Sequence, residues 1–116
     1  MLGCGSGLPQ VPRGQHPLTA GATPIAVDSV PPPARIEELS SDPPGSDCVW
    51  ADGRWSWEDN RWVWQPGSWV VEPDACYYAD SLIVWVPSVS GGVLFYTPGQ
   101  WYQEGGQGVC PAPAPC

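Results

Sequence analysis

Residues 55–64 contain two W-x-W triplets separated by four residues, and this pattern limits the possible folds more than any other part of the sequence. Alternation of large and smaller side chains with a period of two is typical of pleated strands. Asp59 and Asn60 both tolerate positive φ, so they are predicted as the central residues of a hairpin turn. This register places two aromatic pairs and one pair of opposite charge across the strands: Trp55 with Trp64, Trp57 with Trp62, and Glu58 with Arg61. A shift by one residue would lose all three pairs.

A second hairpin is predicted for residues 82–86 and 93–96, which are rich in β-branched and aromatic side chains. Gly91 and Gly92 supply the turn between them. Pro87 has no N–H to donate, so we expect it to end the first strand or to mark a bulge.

A W-x-x-G-x-W motif occurs at residues 50–55 and 64–69, and again at 96–101 with Tyr96 in the first position. Two of the three copies contain Pro-Gly, which predicts a type II turn with the glycine at positive φ. Each copy is expected to join two strands. The second and third copies are offset by 32 residues, which suggests one hairpin unit used twice.

The distribution of residue types divides the chain into three parts. Every aromatic residue lies between Trp50 and Tyr102, whereas residues 1–47 contain nine prolines and six glycines. We therefore predict a flexible tether (1–47), a Trp-rich β-repeat module (48–103) and an extended, proline-rich tail closed by cysteine (104–116). The expected fold class is all-β, a small antiparallel sheet of aromatic hairpins with about 4–6 short strands, preceded by an extended, mostly disordered leader.

Four cysteines bracket this module, and a core of that size usually needs covalent staples. Two disulfides, and with them an oxidising compartment, are expected among Cys48, Cys76, Cys110 and Cys116. Three pairings are open. We favour Cys48–Cys76 with Cys110–Cys116, which would close a short loop at the end of the chain. No Cys/His spacing indicates zinc.

Cys4 follows Leu2 and Gly3 and precedes a Gly/Ser/Pro stretch, which resembles the end of a bacterial lipoprotein signal. In such signals the cysteine carries the lipid. No basic or apolar signal region precedes it here, so this interpretation expects a longer natural N-terminus. The alternative is a free cysteine. No apolar run is long enough for a transmembrane helix.

The motif copies also resemble the bacterial W-x-x-G-x-W (Y-x-W-G-x-W) repeat proteins over residues 48–102. The resemblance implies a β-repeat architecture and an envelope location, often after a secretion or lipoprotein signal, but no reaction. The second hairpin departs from the pattern, since Leu94 and Phe95 stand where Trp62 and Val63 stand in the first.

Charge and residue content argue against several classes of function. The chain has 12 acidic residues, four arginines and no lysine, a net charge of −8, so nucleic-acid binding and attraction to anionic membranes are not expected. The only histidine, His16, lies outside the module, which leaves no Ser-His or Cys-His nucleophile there. Glu58 and Asp59 are adjacent carboxylates, and glycoside hydrolases use a pair of carboxylates. Both are predicted at the tip of a turn, and we interpret them as turn residues. We expect no enzyme activity, cofactor or metal.

The tryptophans are the only unusual chemistry, and two interpretations remain open. Their shared face is either the core of the module or an exposed platform that stacks sugar rings or binds proline-rich segments, one of which, Pro31 to Pro33, lies in this chain. The expected function is a non-enzymatic structural or interaction module of a bacterial envelope (periplasm or outer membrane), held to the membrane only through a lipid on Cys4. The alternative is a module that binds cell-wall glycan. The candidate partners are this glycan or an envelope protein, and the candidate platform residues are Trp55, Trp57, Trp62 and Trp64.

Overall fold

The computed structural model describes residues 9–18, 21–37 and 42–116. This part of the chain is all-β, as the sequence predicts, and it contains no helix capable of crossing a membrane. Its ten short strands are β1 (Arg13–Gly14), β2 (Ile25–Val27), β3 (Cys48–Ala51), β4 (Arg54–Glu58), β5 (Arg61–Gln65), β6 (Ser68–Val71), β7 (Cys76–Ala79), β8 (Leu82–Val86), β9 (Val93–Thr97) and β10 (Gln100–Gln103).

The module is an internal duplication. In the first unit (residues 48–71) the middle strands β4 and β5 form a hairpin and the outer strands β3 and β6 pair with each other. The second unit (residues 76–103) repeats this arrangement with β8–β9 and β7–β10. All four pairs are antiparallel. The hairpin unit used twice, which the sequence offset suggests, is therefore present in the fold.

The first hairpin has the predicted register. The pairs Trp55↔Trp64, Trp57↔Trp62 and Glu58↔Arg61 all lie opposite each other on β4 and β5. Asp59 (φ 51°) and Asn60 (φ 62°) are the two residues at positive φ in the turn. Because φ is positive at both central positions, the turn matches the twist of the strands. The adjacent carboxylates of Glu58 and Asp59 thus belong to a strand end and a turn.

The second hairpin is also formed as predicted. β8 ends at Val86, immediately before Pro87, and β9 begins at Val93. Gly91 (φ 125°) and Gly92 (φ 135°) lie in the connecting loop, at angles that other residues rarely adopt.

A short stretch of the predicted tether, residues 9–14, lies between the two units. The N–H of Trp50 donates to Pro9 O on one side (2.8 Å), and the N–H of Tyr78 donates to Pro12 O on the other (2.8 Å). Gln10 bridges β3 in parallel, and β1 pairs in parallel with β7. The division of the chain at residue 47 stays a prediction. The structure adds that this part of the leader bridges β3 on one side and pairs with β7 on the other.

The same stretch also contributes to the core. Val11 is 5% exposed and packs with Val49 and Val70, one residue from β3 and one from β6. Further along the leader, β2 pairs antiparallel with β9 and buries Val27. The leader is extended, as predicted, and the structure gives it two sites of backbone pairing with the second unit, at β7 and β9.

The disulfides are formed by the four predicted cysteines, but the favoured pairing is wrong. The bonds are Cys48–Cys116 and Cys76–Cys110. Cys48 and Cys76 occupy equivalent positions at the start of β3 and β7, with the leader strand between them. Two strand spacings are about 9–10 Å, whereas a disulfide needs Cα atoms within about 7 Å. The tail therefore supplies the partner for each.

The tail (104–116) crosses the module from one unit to the other. In the middle of the tail the N–H of Cys110 donates to Trp101 O (2.9 Å), and near its end Ala114 O accepts from the N–H of Val71 (2.9 Å). The tail is thus bonded first to β10 and then to β6. Its proline-rich sequence favours the extended backbone that this path requires.

Candidate functional site

The four predicted platform residues share one face of the first hairpin. Trp55 and Trp64 form an edge-to-face pair with ring centroids 5.2 Å apart, and Trp57 and Trp62 form another at 5.0 Å. All four side chains are half-buried. Aromatic pairs of this geometry stabilise a sheet by about 0.5–1.5 kcal/mol beyond the area they bury.

The leader covers this tryptophan face. The indole N–H of Trp62 donates to the backbone O of Ser29 (3.2 Å), and that of Trp55 donates to the backbone O of Pro33 (3.2 Å). Between these two carbonyls lie Val30 and two of the three consecutive prolines. We call residues 29–37 the strap, because this extended segment is held at both ends against the first hairpin.

Charged side chains of the strap make further contacts with the same face. The Arg35 guanidinium lies over the rings of Trp55 (5.1 Å) and Trp64 (5.8 Å), within the range of cation–π attraction. The Glu37 carboxylate accepts the indole N–H of Trp64 (3.2 Å) and the backbone N–H of Gly67 (3.0 Å). Three of the four platform indoles therefore donate to strap atoms.

The second hairpin contacts the same tryptophans. The ring of Tyr96 meets that of Trp62 edge to face at 5.0 Å, and its hydroxyl donates to the backbone O of Trp55 (3.2 Å). Burial raises the pKa of Tyr96 above its ordinary value of 10.0. The tryptophan face is thus an internal surface between the strap and the second hairpin.

The type II geometry predicted for the two Pro-Gly copies, at Gly67 and Gly99, is not observed. Gly53, Gly67 and Gly99 are absent from the glycines at positive φ. Each instead lies directly beneath an aromatic ring: Gly53 under Trp64, Gly67 under Trp50, and Gly99 under Tyr78. A β-carbon at Gly67, for example, would lie 2.5 Å from Trp50 Cζ2. The motif needs glycine for close packing, and the prediction of its turn type is wrong.

The duplication also reveals a fourth, degenerate copy of the motif. Residues 78–83 occupy the position that 50–55 occupy in the first unit, with Ser81 in place of Gly53. The aromatic residue that lies over the glycine in the first unit, Trp64, is also replaced, because Tyr96 occupies the equivalent position. Sequence reasoning missed this copy, since it keeps neither tryptophan nor the glycine.

A cavity of about 600 Å³ lies between the strap and the two units. Its walls include the rings of Trp55 and Trp64 and three of the chain's four arginines, Arg13, Arg35 and Arg54. The volume falls within the range of about 300–1,000 Å³ typical of small-molecule sites. Aromatic rings and guanidinium groups together can stack a sugar ring and hydrogen-bond its oxygens.

Arg13 connects the equivalent aspartates of the two units. It forms ion pairs with Asp52 (2.8 Å) and Asp80. Among the described residues Arg35 and Arg54 form no ion pair. Burial raises the pKa of the nearby Tyr78 phenol, and the positive charge of Arg54 reduces this increase. The guanidinium groups of Arg35 and Arg54 line the cavity together with the rings of Trp55 and Trp64.

Other predicted sites are placed as follows. Cys4, the predicted lipid attachment site, lies outside the described residues. His16 connects the leader to the second unit, with Nδ1 2.8 Å from the Tyr102 hydroxyl and Nε2 2.8 Å from Asp80 O. The described residues contain no group of three or more potential metal ligands.

The contacts that sequence reasoning missed are those of Ser29, Arg35 and Glu37. The only signal for them was the proline run itself, which marks an extended segment able to reach an aromatic face. Nothing in the leader's sequence shows which oxygen atoms accept from which indoles, because those contacts join residues 22 to 33 positions apart.

Comparison with known proteins identifies the repeat. A family model described as the WXXGXW repeat matches residues 45–70 with two copies, which contain Trp50–Trp55 and Trp64–Trp69. No match was found among curated proteins or among solved structures. Residues 45–70 therefore contain a WXXGXW repeat, and both matched copies lie in the first unit.

Proposed function

We propose that this chain is a non-enzymatic interaction module that binds an extended, proline-rich segment on the tryptophan face of its first hairpin. The observation that carries the proposal is the pair of indole hydrogen bonds to the strap, from Trp62 to Ser29 O and from Trp55 to Pro33 O. In the structure the chain occupies this face with its own strap.

The chemistry of the contact is that of polyproline recognition. An extended proline segment has no internal hydrogen bonds, so its carbonyls are free to accept from indole N–H groups. Its backbone is already rigid, and an aromatic groove therefore binds it at low entropic cost. The cation–π contact of Arg35 adds an attraction of about 0.5–1 kcal/mol at a partly exposed site.

The module is placed, in this proposal, in a bacterial envelope with a lipid on Cys4. Two disulfides support an oxidising compartment, and the sequence around Cys4 supports the anchor. The test is fractionation of cells that express the natural gene product, with mass analysis of its N-terminal peptide. Cys4→Ser is the control. A membrane fraction that loses the protein on this change supports the anchor, and unchanged fractionation with an unmodified Cys4 contradicts it.

The binding proposal is tested with a peptide of residues 28–37 and a variant whose strap is weakened, in which Pro31, Pro32 and Pro33 are replaced by glycine. We expect the peptide to shift the indole resonances of Trp55 and Trp62 in this variant. In the wild-type chain the strap competes, so the same peptide should bind far more weakly.

Matched controls separate this contact from a general loss of folding. Trp55→Phe and Trp62→Phe keep an aromatic ring but remove the indole donor, and each should weaken peptide binding several-fold, as expected for one lost hydrogen bond. Trp57→Phe should not, because Trp57 makes no hydrogen bond to the strap. Equal effects of all three changes, or no peptide binding at all, contradict the proposal.

A second function, glycan binding, is favoured by the cavity under the strap. It combines the rings of Trp55 and Trp64 with the guanidinium groups of Arg35 and Arg54. The test is titration of the wild-type chain with soluble cell-wall glycan fragments, with Arg54→Gln as the comparison. Perturbation of these indole resonances that Arg54→Gln weakens supports a glycan site. No perturbation at saturating glycan contradicts it.

A further inference from the structure

The outer faces of the two hairpins occupy equivalent positions but differ in chemistry. On the first hairpin this face is polar: the Ser56 hydroxyl donates to Glu58 Oε2 (2.7 Å), and Gln65 Nε2 donates to both Ser56 Oγ (3.0 Å) and Glu58 Oε2 (2.9 Å). Such a network satisfies its own donors and acceptors and is suited to water.

The equivalent face of the second hairpin is apolar and exposed. Leu82, Val84 and Val86 stand where Arg54, Ser56 and Glu58 stand in the first unit, and they are 49%, 49% and 45% exposed. Val93, opposite Val86, is 40% exposed. Contiguous exposed apolar patches are characteristic of interaction surfaces, whereas single exposed apolar side chains are not. We call these four residues the apolar patch.

Charged residues are also absent from the sequence around the second hairpin. Residues 81–103 contain no acidic or basic side chain, whereas the chain as a whole has a net charge of −8. Two copies that approach through other surfaces bring acidic side chains together. The second hairpin is the surface at which a second copy meets the least repulsion.

The apolar patch lies along an open sheet edge. The sheet order is β2–β9–β8, and β8 pairs only with β9 among the described residues. An uncharged edge strand with exposed apolar side chains is a template for pairing with another strand. The corresponding edge strand of the first unit, β4, has Arg54 and Glu58 at its two ends, which oppose such pairing.

We propose that β8 is a self-association site, at which two copies pair their β8 strands antiparallel about a two-fold axis at Val84. This pairing would join the two sheets into one of six strands and continue the apolar patch across the junction. An antiparallel pair of identical strands is self-complementary, as a two-fold interface requires. This association is independent of strap binding. The apolar patch lies on the second hairpin, on the face equivalent to the polar face of the first, and includes no strap residue.

The test is sedimentation analysis of the oxidised full chain over a wide concentration range, with Val84→Lys as the variant and Ser56→Lys as the matched control. The two changes place the same charge at equivalent positions. Val84→Lys brings two positive charges together at the axis and should weaken association at least about tenfold. Ser56→Lys should leave it unchanged. Added salt should strengthen wild-type association, because it screens the repulsion between acidic copies.

A mixing experiment separates a lost contact from a lost fold. Val84→Lys and Val84→Glu, each monomeric alone, should associate when mixed, because unlike charges then face each other at the axis. Intact disulfides in each variant verify the fold. A wild-type chain that stays monomeric at high concentration, equal effects of the two lysine variants, or failure of the mixture to associate each overturns the proposal. So does a wild type that binds neutral lipid vesicles through β8 but does not self-associate.

Discussion

Replacing the repeat glycine Gly67 by alanine should destabilise the fold although this glycine is not at positive φ. The added β-carbon would lie 2.5 Å from Trp50 Cζ2, 2.8 Å from Ala51 O and 2.9 Å from Glu37 Oε1. Overpacking of this kind costs about 1–3 kcal/mol, and the lower freedom of the unfolded chain offsets about 0.4–1 kcal/mol of that. We expect Gly67→Ala to lower the free energy of unfolding by about 1–2 kcal/mol.

The assay is equilibrium unfolding of the oxidised chain in urea, read as the midpoint at constant slope. Gly108→Ala is the matched control, because a β-carbon there meets nothing closer than 3.6 Å and the glycine is not at positive φ. It should be neutral or slightly stabilising. Trp50→Phe removes the contacting ring atom, so the double variant with Gly67→Ala should lose less stability than the sum of the two single changes. Equal stabilities of the two alanine variants would refute the packing role of the repeat glycine.

Three further predictions concern the staples, the ion pairs and the buried phenols. Replacing both Cys48 and Cys116 by alanine should lower the free energy of unfolding by about 4 kcal/mol, since the bond closes a loop with a sequence separation of 68; an unchanged urea midpoint contradicts this. Arg13→Gln should cost only about 1 kcal/mol or less in the same assay, because both of its ion pairs are solvent-accessible, and a larger loss contradicts the surface character of these pairs. Burial raises the pKa of Tyr78 and Tyr96, so these phenols ionise at lower pH in the unfolded chain than in the folded one. Their contribution to stability should therefore be complete below pH 10.0 and decrease above it. An unfolding midpoint that stays constant well above that pH contradicts this.

The local features of the fold could be predicted from the sequence. The register of the first hairpin follows from Trp55–Trp64 and Trp57–Trp62, because a hairpin with a two-residue turn leaves only one alignment that pairs all four. The second hairpin follows from its β-branched run and from the glycines of its loop. Both signals involve residues close together in the chain.

The non-local features could not be predicted. Residues 9–14 have no periodic pattern. Their position between β3 and β7 depends on backbone hydrogen bonds, which the side chains of the sequence do not indicate. The disulfide pairing depends on that placement, because the leader lies between β3 and β7, the strands that begin with Cys48 and Cys76. The contacts of the strap with the tryptophans likewise join distant parts of the chain.

Solvent exchange of the indole N–H groups in the full chain shows whether the strap covers the tryptophan face. We expect slow exchange for Trp55 and Trp62, which donate to strap carbonyls, and fast exchange for Trp85, which is 57% exposed. Replacing Pro31 to Pro33 by glycine should accelerate the first two and leave Trp85 unchanged. Exchange at Trp55 and Trp62 as fast as at Trp85 in the wild-type chain would contradict the claim that the strap covers the tryptophan face.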